Sequence, residues 1–280
     1  MGNNAIVDSK KKNSISVQDI IKASFSIPGV YINRDEFLRK EFVRYYSKEC
    51  IEDAVKTTPA QAGIDSKIID KLSASVIRFE RLCVSGISVA LGVPGGWAMA
   101  ATVPADLAQY FAYTLRAAQK LLYLYGFPQI SKDKADFGLD TETMNELILC
   151  LGVMFGVSGA NHALKALAIG LGNGVEKKLL NTALTKGSFF PLISSIVKWF
   201  GVKLTKGTFA SVVKHSIPVA SGFISGGITF ATFSPCCKRL KESIKDTYLS
   251  NTDYHPSPEE EKLYDAILSS DKPADGGAKD

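Results

Sequence analysis

The sequence lacks nearly every mark of a recognisable chemistry. Its three histidines, His162, His215 and His255, stand far apart. None has a His or Cys partner at i, i+3 or i+4, so no metal site is expected, and no cofactor. GxSxG, HExxH and the Walker A pattern do not occur, which removes the commonest hydrolase and nucleotide-binding signatures. The glycine-rich Gly170–Gly174 stretch follows no predicted strand, which argues against a phosphate-binding loop. Five cysteines (Cys50, Cys83, Cys150, Cys236 and Cys237) make neither a CxxC pair nor an even framework, so a reducing compartment fits best. The vicinal Cys236-Cys237 pair, at what reads as a helix start, offers a redox or acylation site; inert thiols are the plainer reading. The Lys10-Lys11-Lys12 cluster leads into Asn13-Ser14 rather than an apolar run, so no secretory signal is expected. Ile6 stands where a myristoylation signal requires Ser or Thr.

Strand signals are almost absent too, and that leaves an all-α fold. Hydrophobic residues make up 46% of the 280 positions and charged residues 22%, enough for a core without metal or disulfide staples.

Charge is missing over two long runs. No charged residue lies between Arg81 and Asp106, nor between His215 and Lys238. Pro94-Gly95-Gly96 interrupts the first run, and Pro218, Gly222, Gly226 and Gly227 interrupt the second. Helix-breaking residues at such positions predict hinged apolar hairpins rather than single rods. The hinge residues are Pro94, Gly95, Gly96, Pro218, Gly226 and Gly227. A bilayer span needs about 20 apolar residues, and each half-run is shorter than that. Three readings stay open: core hairpins of a soluble domain, re-entrant or interfacial hairpins, and kinked spans.

The charge that is present is unevenly placed. The chain carries +5 overall, yet Lys165–Lys245 holds twelve Lys or Arg against two acids. Such a bias predicts a polyanionic partner or a solvated lysine-rich face. Beside the second apolar run, with Trp97 and Trp199 as interfacial anchors, it points to an anionic membrane surface rather than to nucleic acid. The residues expected at that surface are Lys177, Lys178, Lys198, Trp199, Lys203, Lys206, Lys238, Arg239 and Lys241.

Taken in order, residues 1–14 read as a disordered basic tail and 15–251 as one helical domain. Helices are predicted over Ile15–Phe25, from Asn33 to about Lys56, and from Asp65 to about Leu91 with Ile68, Ile69, Leu72, Val76 and Phe79 on the buried side. Others follow from Pro104 to Tyr125 and from Thr141 to Gly159, the latter continued by Ala163–Leu171. In this last pair Gly152, Gly156 and Gly159 suggest a close-packing face. Basic helices at Val175–Leu184 and Phe189–Phe200 precede one opened by Lys238. Residues 252–280 read as an acidic tail with a short helix begun by the capping Ser257 and Pro258.

On the Pro104–Tyr125 helix, Asp106, Gln109, Tyr113, Arg116 and Lys120 fall on one stripe within about 80°. That stripe is either the solvent side or a buried polar seam. Asp106 and Arg116 are roughly 15 Å apart along the axis, so each needs a partner on a neighbouring helix.

The segment Pro94-Gly95-Gly96, Val103-Pro104-Ala105-Asp106-Leu107, Leu115-Arg116, Tyr125-Gly126-Phe127 resembles the EcsC family of bacterial proteins. So does Ile217-Pro218-Val219-Ala220-Ser221-Gly222 leading through Gly226-Gly227-Ile228 into a basic helix. The resemblance spans residues 53–251. It implies a helical bacterial protein, cytoplasmic or membrane-associated, with a link to transporter or envelope physiology. It carries over no catalytic residues, though Asp106 and Arg116 match its pattern.

The expectation is a non-enzymatic helical protein, cytoplasmic and peripheral to the inner face of the membrane, binding anionic lipid and open to a membrane-protein partner. Stable insertion remains an alternative. So does a hydrolase or lipid-modifying enzyme using Asp106 and Arg116, and so does a soluble interaction module serving a transporter or GTPase.

Overall fold

The computed structural model describes residues 15–90, 103–131, 139–205 and 226–271. The expected tail at 1–14 and the hinge residues Pro94, Gly95, Gly96 and Pro218 lie outside the described residues, as do Trp97 and Lys206. The described residues form eleven α-helices and a 3-10 turn, and they contain no strand. The fold is an all-α bundle.

Two short helices open it. α1 (Val17–Phe25) starts at a capping box in which Ser16 and Asp19 satisfy each other's backbone N–H groups. α2 (Arg34–Phe42) is capped by Asn33, whose side chain accepts from the Glu36 N–H. The predicted continuation to Lys56 fails at Phe42. The chain turns there, and Ser47 caps a separate α3 (Lys48–Lys56) by accepting from the Cys50 N–H. Tyr46, expected on a helix face, sits in the turn and accepts the Asp65 N–H through its hydroxyl. Arg34 holds the pair together. Its buried guanidinium donates to the carbonyls of Ala54, Val55 and Thr57 at the C-terminal end of α3, where a cation suits the helix dipole.

α4 (Ser66–Ala90) and α5 (Ala105–Leu124) are the long pair. Asp70 and Ser73 meet Tyr125, while Glu80 meets Arg116 and Lys120, so the two helices run antiparallel. α5 is the centre of the molecule. Ala108, Phe111, Leu115, Ala117, Ala118, Leu121 and Tyr123 are buried on almost every side of it. It touches α1, α2, α4 and a later helix, α10 (Gly226–Lys245).

α6 (Thr141–Phe155) and α7 (Ala160–Gly172) correct the predicted continuous helix. Gly156 ends α6 at φ 73° and Gly159 begins α7 at φ 80°, so both form the turn rather than a packing face. Of these three glycines Gly152 permits the closest approach: a Cβ there would lie 2.6 Å from Ile196 Cδ1. α8 (Lys177–Thr185) and α9 (Phe190–Thr205) pack on α6. Phe111, Phe155, Trp199 and Phe200 stack and edge against one another where α5, α6 and α9 converge. Truncating a fully buried ring such as Phe111 would cost roughly 3–5 kcal/mol.

α10 also departs from expectation. It begins at Gly226 rather than at Lys238 and runs through Pro235, with Gly226 and Gly227 in its first turn. Cys236 and Cys237 are buried mid-helix, and burial pushes the Cys236 thiol up to about 12. Neither is placed as a reactive surface thiol. The last helix, α11 (Pro258–Leu268), has the expected Ser257–Glu260 capping box. It is docked on α7 and α8 with Ile267 fully buried, so this part of the expected tail belongs to the bundle.

Candidate functional site

The polar stripe of α5 faces protein, and its partner comes from α4. Glu80 is fully buried and accepts from Arg116 Nε at 3.1 Å, Arg116 Nη2 at 3.2 Å and Lys120 Nζ at 2.6 Å. Arg116 Nη1 donates to the Gly29 carbonyl at 2.8 Å, so all three guanidinium nitrogens are engaged. Lys120 also lies over the rings of Phe37 and Phe79. Tyr113, half-buried beside Arg116, has a phenol pushed upward by burial. Gln109 is half-buried as well. The side chain of Asp106 lies outside the described residues, so the structure brings together Tyr113, Arg116 and Lys120 but says nothing of the Asp106 end.

The stripe does not name Glu80, although spacing along α4 marks that position as buried. As far as Val84 the buried positions of α4 are Ile69, Leu72, Ser73, Val76, Ile77, Glu80 and Val84, and Glu80 is the next step after Val76 at i+4. Phe79, expected inside, is 55% exposed. Gln119 is a second polar residue that the stripe missed. Fully buried, it donates to the Val30 carbonyl and accepts from the Ile32 N–H, so α5 grips the α1–α2 connection through Gln119 and Arg116 together. With its cations committed to Glu80 and to backbone, the seam is built as a clamp between α4, α5 and that connection.

Two further carboxylates act in the same way. Asp70 accepts from Lys245, Lys241 and the Tyr125 hydroxyl, joining α4, α5 and α10. Burial works to raise its pKa, but those hydrogen bonds outweigh it and hold the carboxyl below its ordinary value. Glu260 on α11 accepts from the Tyr254 hydroxyl and the Ser257 N–H, with His162 and Lys165 of α7 at 3.6 and 3.8 Å. Burial again opposes ionisation there, and the bonds from Tyr254 and Ser257 win.

The expected membrane-surface residues divide. Lys241 is paired with Asp70 at 3.1 Å, and Arg239 donates to the Met154 carbonyl at the end of α6. Trp199 is half-buried in the aromatic cluster. Lys177, Lys178, Lys198 and Lys238 are exposed, Lys177 with a hydrogen bond to Ser131. The Lys203 side chain and Lys206 lie outside the described residues. Three of the four exposed lysines sit on α8 and α9, where Lys186 joins them, and no acid occurs from Lys177 to Thr205. The outer side of α9 also bares Phe190 at 47% and Val202 at 53%.

No helix among the described residues is long and apolar enough to cross a membrane. No group of His, Cys, Asp and Glu among them is arranged to hold a metal ion. No protein-family model matches the chain, and neither a curated protein nor a solved structure matches it at a significant level.

Proposed function

We propose that the protein is a non-enzymatic, peripheral membrane-binding helical bundle that meets anionic lipid through its α8–α9 flank. The observation that carries the reading is the composition of that flank: exposed Lys177, Lys178, Lys186 and Lys198, exposed Phe190 and Val202, and no acid from Lys177 to Thr205, with Glu176 just before α8. A cationic side chain near an anionic bilayer contributes about 1 kcal/mol, so four lysines amount to about 4 kcal/mol, and exposed apolar side chains add interfacial burial. The resemblance to EcsC proteins agrees with a location at the cytoplasmic face and with a transporter or another membrane protein as neighbour. The closed hydrogen bonding of Arg116 and Lys120 favours this over a hydrolase built on the same seam, since neither cation is left to meet a substrate.

The test is co-sedimentation with vesicles containing about one-third phosphatidylserine against vesicles of phosphatidylcholine alone, at low and high salt. Binding should require the anionic lipid and be lost at high salt. Charge reversal at Lys177, Lys178, Lys186 and Lys198 together should abolish it. No binding at low salt, or binding that the quadruple variant keeps, refutes the proposal.

A further inference from the structure

The outer side of α4 carries charge of one sign together with two large apolar side chains. Lys67, Lys71, Arg78, Phe79 and Leu82 are all exposed. At 100° per residue they fall within about 120° of one another, along roughly 22 Å of helix. Ala74 and Ser75, exposed and small, leave a shallow place between Lys71 and Arg78. None of the three cations is paired with an acid among the described residues. The acids of α4 are already engaged, Asp70 by Lys241 and Lys245, and Glu80 by Arg116 and Lys120. Asp65, exposed just before the helix, accepts from the Lys67 N–H. The Phe79 ring lies 5.5 Å from Lys120 Nζ, which holds it on the bundle. Tyr45, in the turn after α2, lies 5.3 Å from Lys71 Nζ and borders the row on that side.

We infer that this row docks an acidic amphipathic helix of a partner protein, with apolar side chains on Phe79 and Leu82 and carboxylates on Lys71 and Arg78. Lys71 and Arg78 stand seven residues apart, about two turns, so a helix lying along α4 meets both with carboxylates at the same spacing. Opposite charge selects the partner and sets its register, and the apolar pair supplies the area that loses water. A second copy of this chain is the wrong occupant, because it would set lysine and arginine against their own kind. The stretches outside the described residues, 1–14, 91–102, 132–138, 206–225 and 272–280, carry no excess of acid, so the counter-charge comes from another molecule. α4 packs on α5 and α10, whereas α8 and α9 pack on α6. The two flanks therefore lie on different sides of the bundle, and one flat bilayer cannot meet both. The inference goes beyond the membrane reading and survives its failure.

The experiment is fluorescence anisotropy of a labelled helical peptide of about 16 residues, the length that covers the row, with Leu along one face and Glu beside it. Titrated with the full chain at low salt, it should bind saturably and at least tenfold tighter than the same peptide with Lys in place of every Glu. High salt should weaken it. Phe79→Ser with Leu82→Ser, and separately Lys71→Glu with Arg78→Glu, should each weaken binding at least tenfold. All four side chains are exposed, and thermal melting by circular dichroism checks that both variants fold. The quadruple α8–α9 variant should bind the peptide as the unaltered protein does. A protein that binds the peptide but no vesicles would overturn the membrane proposal alone. No saturable binding of the acidic peptide, or equal binding of the Lys peptide, overturns the inference on the unaltered protein. Peptide binding that either folded α4 variant retains overturns it too. So does loss of vesicle binding in the α4 variants, which would assign the row to lipid.

Discussion

Replacing Glu146 by Gln should stabilise the protein by an amount that grows with pH. The carboxyl has an ordinary value of 4.5 and is held at about 7 in the fold, chiefly by burial. Below pH 4.5 it is protonated in both the folded and unfolded chains, and it then contributes no difference. As pH rises from 4.5 towards 7 the unfolded chain releases the proton first. The folded chain holds more protons across that window, so stability falls through it. Above the folded value the loss is complete and amounts to about 3 kcal/mol, at 1.36 kcal/mol per unit of pKa. Gln has the same shape and no charge, so every other titration is common to both proteins and cancels in their difference. Urea unfolding of both at pH 4 and pH 8.5 measures it. The advantage of the variant should be larger by about 3 kcal/mol at the higher pH. A difference between the two proteins that stays constant across that range to within about 0.5 kcal/mol would mean that the carboxyl is solvated or paired, and the reasoning from its burial would fall with it.

Glu80→Ala should destabilise by about 3 kcal/mol in urea unfolding, because it strands Arg116 and Lys120 with only 23% and 13% of their side chains exposed; a loss under about 1 kcal/mol would show that both cations rehydrate freely. Gly126→Ala should cost roughly 2 kcal/mol or more, read as a lowered Tm, since φ is 91° there and a Cβ would sit 2.8 Å from the Leu249 carbonyl oxygen. Asp70→Asn should remove an acid-dependent part of stability. The Asp70 pKa is depressed by Lys245, Lys241 and Tyr125, so its contribution is present above the unfolded value and is lost as pH falls through the folded one. Acid unfolding followed by circular dichroism should therefore begin from a lower, flatter baseline in the variant.

The helices were legible where a cap or a breaker marks them. Asn33, Ser257 and Gly126 each stop or start an element where local chemistry requires it. Errors arose where two local rules compete. Gly156 and Gly159 fit a small-residue packing face as well as a left-handed turn, and only the tertiary path of α6 and α7 decides between them. Pro235 breaks a helix in isolation, yet α10 runs through it because its buried flank, from Phe233 to Leu240, is anchored against the core. The polar stripe on α5 was readable from spacing alone. Its partner was not, since Glu80 lies 36 residues upstream of Arg116 and nothing local links them. Glu146 was invisible for a related reason. One acid in an apolar helix carries no sign of whether a cation lies opposite it in the fold.

The distribution of charge ties these observations together. The sequence counts twelve basic residues from Lys165 to Lys245 as one cationic stretch. In the fold, Lys165 is spent near Glu260, Arg239 on the end of α6, and Lys241 and Lys245 on Asp70. Those four hold helices to one another, and a membrane could recruit them only by breaking contacts that the bundle needs. What remains for an anionic surface is concentrated on α8 and α9, the same helices that carry no acid and expose Phe190 and Val202. Neutralising Lys241 and Lys245 should therefore lower stability and leave vesicle binding intact, whereas reversing the α8–α9 lysines should do the opposite. A net-charge argument makes no such distinction, because it would have all twelve residues act alike.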